Sequence, residues 1–120
     1  MANEINVACS LSGSKGGATV TASGTKTADM AGDQMITNVQ IVGTSAEALV
    51  LGDVSTIGYV MLKNLDATNF IEVALDSGVS TQKFAKLLAG DIMLFKASTA
   101  TMYVKADSGA CNLQVTAVEL

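Results

Sequence analysis

The sequence predicts an all-β fold, a single-domain antiparallel β-sandwich or jelly-roll-like arrangement of eight to ten short strands. Three observations predict it. Apolar and polar residues alternate with a period of two along most of the chain, which puts one set of side chains on a buried face and its neighbours outside. Turn segments rich in Gly, Ser and Asp recur about every ten residues, the spacing of a sandwich or small barrel. The composition is that of strands and turns: 49% hydrophobic but only 4% aromatic, 11 Gly and no Pro or Trp, with abundant Thr and Ser. A chain of 120 residues fits one domain, residues 1–120, able to bury roughly 65% of its unfolded surface without metals or disulfides.

The elements follow in order. Ile5, Val7, Cys9 and Leu11 alternate with small or polar residues, as do Ala18, Val20 and Ala22. They predict an N-terminal strand pair joined by the Gly-rich turn at residues 12–17. Residues 23–33 show no period and predict a long loop or an extended arm. Residues 34–42 and 47–51 read as the next strands, so residues 1–40 hold N-terminal strands and a flexible segment, and residues 41–120 hold the central and C-terminal strands. At the centre, Val60 and Leu62 share one face of a strand, and Ile71, Val73 and Leu75 share one face of the next. Pairing Leu62 with Ile71 and Val60 with Val73 buries both sets on one side, which predicts a hairpin around residues 65–68. Residues 83–88, 91–97, 101–106 and 112–118 complete the strand set, and helix is the weaker reading throughout.

Charge and motifs narrow the function. A net charge of −4, with no Arg or His, argues against a nucleic-acid partner, which needs a basic face. The longest apolar runs are far shorter than a membrane-spanning helix requires. Met1-Ala2-Asn3-Glu4 has no basic, apolar leader pattern, so synthesis in a cytoplasm without a membrane partner is expected. Cys9 and Cys111, far apart in sequence, read as two small buried hydrophobes of a reducing compartment. Without His the commonest general base and metal ligand is missing. Ser-x-x-Lys occurs at Ser12/Lys15, Ser23/Lys26 and Ser80/Lys83, but the companion motifs of a lysine-activated serine are absent. Lys15 is followed by Gly16 rather than the hydroxyl residue of a phosphate loop, and the Asp and Glu residues lack a calcium-loop spacing. The expectation is therefore a non-enzyme with no catalytic residues, cofactor or metal.

The remaining candidates are side chains that the hairpin points away from its core: Tyr59, Met61, Phe70 and Ala74. Together they make either an exposed partner surface or the seat of a second sheet.

The segments 51–59 and 63–73, with 84–91, 103–106 and 110–113, resemble a group of small virion proteins of tailed bacteriophages. The likeness covers residues 41–120 and is one of pattern. It implies a β-sandwich or jelly roll, homo-oligomeric as a trimer or dimer, located in the virion and bound to the major capsid protein or another virion protein. Within that class the expected role is a capsid cement or decoration protein that binds the outer shell and bridges neighbouring subunits. A tail, neck or fibre component is the alternative, and a carbohydrate-binding β-sandwich (an adhesin) is the alternative of another class.

Overall fold

The computed structural model describes residues 4–52, 54, 56–99 and 101–119. The leader reading at Met1, Ala2 and Asn3 and the resemblance at Asp53 and Ser55 lie outside them. The described residues form ten strands and no helix, so the all-β, antiparallel expectation holds. The strands are β1 (Ile5–Lys15), β2 (Ala18–Ala28), β3 (Met35–Val42), β4 (Glu47–Ala48), β5 (Ile57–Asn64), β6 (Ile71–Ala74), β7 (Lys83–Leu87), β8 (Ile92–Lys96), β9 (Tyr103–Ala106) and β10 (Cys111–Glu119). The chain forms two compact units, residues 1–32 and residues 33–120.

The first unit is a two-stranded ribbon in which β1 pairs with β2 from Ile5↔Ala28 to Lys15↔Ala18. Gly16 and Gly17 close it with φ of 58° and 87°. This two-residue turn with both φ positive matches the right-handed twist of the strands it joins. The expected turn at residues 12–17 is thus only its last two residues, and the unpatterned stretch from residue 23 is strand as far as Ala28. Period-two patterning failed there because one ribbon face is nearly all Ser and Thr (Ser23, Thr25 and Thr27 opposite Ser10, Ala8 and Asn6). The other face carries Val7, Cys9, Leu11, Val20 and Ala22, and residues 8–27 are all exposed. Cys9 is exposed rather than buried, Cys111 is buried, and both are free thiols. Burial pushes the Cys111 thiol pKa up.

The second unit is a sandwich of two four-stranded antiparallel sheets, ordered β3-β10-β5-β8 and β4-β9-β6-β7. Val60, Leu62, Leu113, Val115 and Ala117 from the first sheet pack against Ile71, Val73, Leu87, Val104 and Ala106 from the second. Each fully buried Val or Leu side chain stabilises the fold by about 1.5–3 kcal/mol.

The central hairpin is overturned. Val60, Leu62, Ile71 and Val73 are all buried, but β5 pairs with β10 and β8, whereas β6 pairs with β7 and β9. The chain crosses from one sheet to the other at residues 65–70, so the two apolar sets meet face to face instead of side by side. Asn64 explains the crossing. Its side chain is fully buried, and its Nδ2 donates to the carbonyl oxygens of Asn69 (3.0 Å), Leu87 (3.0 Å) and Leu88 (3.2 Å). Its Oδ1 accepts from the Asp66 N–H at 3.0 Å. The Asp66 carboxylate then accepts from the N–H groups of Asn69 (2.6 Å) and Thr68 (2.9 Å). Those bonds hold its pKa below the ordinary value and wind the segment into an Asx-type turn.

On the β3/β4 side of the sandwich, Gln40 Nε2 donates to Glu47 Oε1 and to the Ala48 carbonyl, both at 3.0 Å, and Gln40 Oε1 accepts from the Val50 N–H at 2.9 Å. Gly52 lies against Ile36 with φ of +63°, where an added Cβ would stand 2.9 Å from Ile36 Cγ2. Only glycine fits that approach.

Candidate functional site

The outer faces of the two sheets have opposite chemistry. In an antiparallel ladder directly opposite residues share a face, so the register of the β3-β10-β5-β8 sheet lays out its outward rows. One row runs Met35, Val118, Tyr59, Lys96; the next runs Thr37, Thr116, Met61, Leu94; the third runs Val39, Gln114, Lys63, Ile92; and Ile41 stands opposite Asn112. Met35, Val39, Ile41, Met61, Ile92 and Leu94 are all exposed, Ile41 by 69%. None of the residues in these rows is a carboxylate, and the cations Lys63 and Lys96 stand toward the β8 side. The hydroxyls of Thr37 and Thr116 bond to each other at 3.1 Å, so the polar pair in the middle of the face satisfies itself.

The outer face of the other sheet is built from charge. Glu72 stands between Lys86 and Lys105 in the ladder, and Lys83 Nζ lies 3.3 Å from Glu72 Oε2. Lys86 Nζ sits 4.1 Å from the Phe70 ring centroid, a cation–π contact. This face is well solvated, whereas the opposite face carries exposed apolar side chains on β3 and on β5 and β8, on either side of Asn112, Gln114 and Thr116 of β10, and clustered exposed apolar groups are candidates for an interaction surface.

No family model matches the chain, and no curated protein or solved structure matches it.

The four sequence candidates do not form one patch. Tyr59 and Met61 lie on the outward face of β5, and Met61 is 40% exposed. Lys96 Nζ stands 6.0 Å from the Tyr59 ring centroid. Phe70 precedes β6 in the opposite sheet, beneath Lys86. Ala74 is fully buried, which corrects its assignment to an outer surface. Alternation along β6 is unbroken, with Ala74 opposite Tyr103 of β9 as Val73 is opposite Val104, and the extra residue of the register shift, Phe84, lies on β7; a single methyl group there is too short to project past its neighbours.

The structure adds Met35, Val39, Ile41, Ile92 and Leu94, which sequence reasoning passed over. Their signal was present. The runs Val39-Gln40-Ile41-Val42 and Ile92-Met93-Leu94-Phe95 carry apolar residues at both parities of a strand. In a sheet with only one buried face, such a run leaves one apolar set outside.

The loop between β6 and β7 is ordered by a carboxylate. Asp76 accepts from the Ser80 N–H and hydroxyl (2.9 and 3.1 Å), the Thr81 N–H (3.3 Å) and the Gln82 N–H (2.8 Å). These bonds, that of Ser80 first, lower its pKa to about 2. Val79, in the same loop, holds a φ of 49°, a region that β-branched residues rarely enter. Its buried side chain and the bond from its N–H to the Asp76 carbonyl at 3.1 Å keep it there. With its carboxylate satisfied by backbone donors, this loop is a structural device. Among the described residues no three Asp, Glu or Cys side chains come together in a way that could hold a metal ion.

Proposed function

We propose that this chain is a non-enzymatic assembly protein of a virion, most simply a capsid cement or decoration protein that binds the outer shell and bridges neighbouring subunits. The observation that carries the assembly reading is the outer face of the β3-β10-β5-β8 sheet, six exposed large apolar side chains on a hydrogen-bonded platform. The place in a particle is supported by the resemblance of residues 41–120 to small phage virion proteins. Mechanically, such a sheet needs no rearrangement to bind. It presents fixed side chains at strand spacing to a partner surface of matching shape, and the gain is the apolar area removed from water on both sides. Repeated on a symmetric shell, even a modest single-site affinity becomes strong retention when an oligomer engages several sites at once.

The test is binding of the purified protein to empty capsids of its parent particle, imaged by electron microscopy, beside the Met61→Lys variant. Symmetric density on the shell, lost in the variant, supports the reading. Density on tails, or binding to glycans in place of capsids, moves the protein to the tail or adhesin class. Tyr59 and Tyr103, the two tyrosines a sugar platform would draw on, lie in different sheets.

A further inference from the structure

The sandwich has four edge strands, and three are protected against pairing with another chain. β4 is two residues long. β7 carries Lys83 and Lys86 within its five residues, and β8 has five residues and ends in Lys96. Short edges and edge lysines are the usual means of blocking strand addition. β3 has neither. It is eight residues long with the sequence Met-Ile-Thr-Asn-Val-Gln-Ile-Val, without charge, Pro or Gly, and β10 is its only neighbour in the sheet.

The hydrogen-bond phase says which residues face the open edge. The Glu119 N–H bonds to the Gln34 carbonyl at 2.9 Å, one step before the Val118↔Met35 pair. Alternation then turns the backbone groups of Ile36, Asn38, Gln40 and Val42 toward β10, and those of Met35, Thr37, Val39 and Ile41 away from it. The bond from the Leu65 N–H to the Asn112 carbonyl fixes the same phase independently, since it commits Asn112 to the β5 side and leaves Cys111 for β3. The residues with outward-aimed amides are thus also those whose side chains stand on the apolar face.

We propose that β3 pairs antiparallel with β3 of a second copy of this chain across a two-fold axis at Asn38. In that register Met35 stands opposite the second copy's Ile41 and Thr37 opposite its Val39. All four edge residues exchange both backbone bonds, and every pair keeps its face. The two four-stranded sheets join into one of eight strands, and the two apolar outer faces become continuous. Met35, Val39 and Ile41, exposed by 59%, 52% and 69% because β3 has a neighbour on one side only, gain neighbours on the other. A second copy is the natural occupant because an antiparallel two-fold makes one edge complementary to itself. The inference stands apart from any place in a virion: a monomer overturns it and leaves capsid binding to its own assay.

Asn38 falls at a non-hydrogen-bonded pair, where Cα atoms lie about 4.5 Å apart, within disulfide reach. In full-length protein with Cys9→Ser, mild oxidation of Asn38→Cys should give a covalent dimer, whereas Ile41→Cys in the same background should not. Independently, Val39→Pro deletes an N–H that faces the open edge and no bond to β10. It should convert the dimer seen by light scattering to a monomer with an unchanged far-UV spectrum. A native chain that is monomeric at the assay concentration, an Asn38→Cys protein that does not cross-link, or a folded Val39→Pro protein that remains dimeric overturns the proposal. Should Val39→Pro fail to fold, the Asn38→Cys result decides alone.

Discussion

The two sheets of the sandwich share one core but show the solvent different surfaces. Behind Val73 and Ile71 the outward positions are Glu72, Lys83, Lys86 and Lys105, with an ion pair between Glu72 and Lys83 and a cation–π contact from Lys86 to Phe70. Behind Val60 and Leu62 they are Tyr59, Met61 and, on the neighbouring strands, Leu94, Val39 and Ile41. Sheet stability does not require the second arrangement, since the charged sheet is equally well packed inside. Exposed apolar side chains on one sheet alone are what the proposed assembly role would use.

Substitutions can break this contrast at several depths. The largest effect is expected from Val73→Asp, which puts an unpaired carboxylate in the core beneath the charged face and should prevent folding, seen as loss of the β-sheet signal in circular dichroism. Asn64→Ala comes next. It removes the Asn64 donor from the carbonyls of Asn69 and Leu87 at the crossing between the sheets, while Leu88 keeps the Asp91 N–H, at roughly 1–3 kcal/mol for each buried group left unpaired. A urea titration should show a lower midpoint, and an unchanged midpoint would mean that the crossing does not depend on this side chain. Acid gives a smaller, graded effect. Because the folded Asp76 pKa is depressed from 3.8 to about 2, its stabilisation is complete above the ordinary value and is lost as pH falls through that interval. In Asp76→Ala the loss of stability between those two pH values should be shallower. The smallest stability changes are expected on the surfaces, within about 0.5 kcal/mol for both Glu72→Ala and Met61→Lys. Under the proposed capsid-binding role the two separate: Met61→Lys should abolish that binding while Glu72→Ala leaves it intact. Equal losses would erase the distinction between the faces.

Nine of the ten strands and the first half of β2 were legible in the sequence, because each is a local pattern that needs no knowledge of its partner. The inward sets Val60/Leu62 and Ile71/Val73 were legible for the same reason. Their pairing was not. Two consecutive apolar strands with a polar break fit a hairpin and a crossing between sheets equally well, and the choice fell to Asn64, whose role depends on the carbonyls of Leu87 and Leu88, far along the chain. Ala74 was misplaced because alternation gives a residue's side of the strand and not what covers a side chain as small as a methyl group. The outer face was half legible. Tyr59 and Met61 were visible from β5 itself, but β3 and β8 join that face only through pairings no local pattern reports. The Ser and Thr residues of β2 hid its second half, whose partner in β1 is just as polar on the same side.

The topology also sets the order in which the sandwich becomes possible. β10, last of the ten strands to leave the ribosome, lies between β3 and β5 in the finished sheet, and the Thr37–Thr116 bond joins residues 79 apart. The ribbon of β1 and β2 can close as soon as it emerges, whereas the four-stranded sheet must wait for its middle strand while β3 and β5 stand with bare edges. Such a high-contact-order fold is slow to form and exposed to wrong pairing while incomplete. Chains shortened before Cys111 should therefore be lost to aggregation rather than accumulate as a smaller soluble domain.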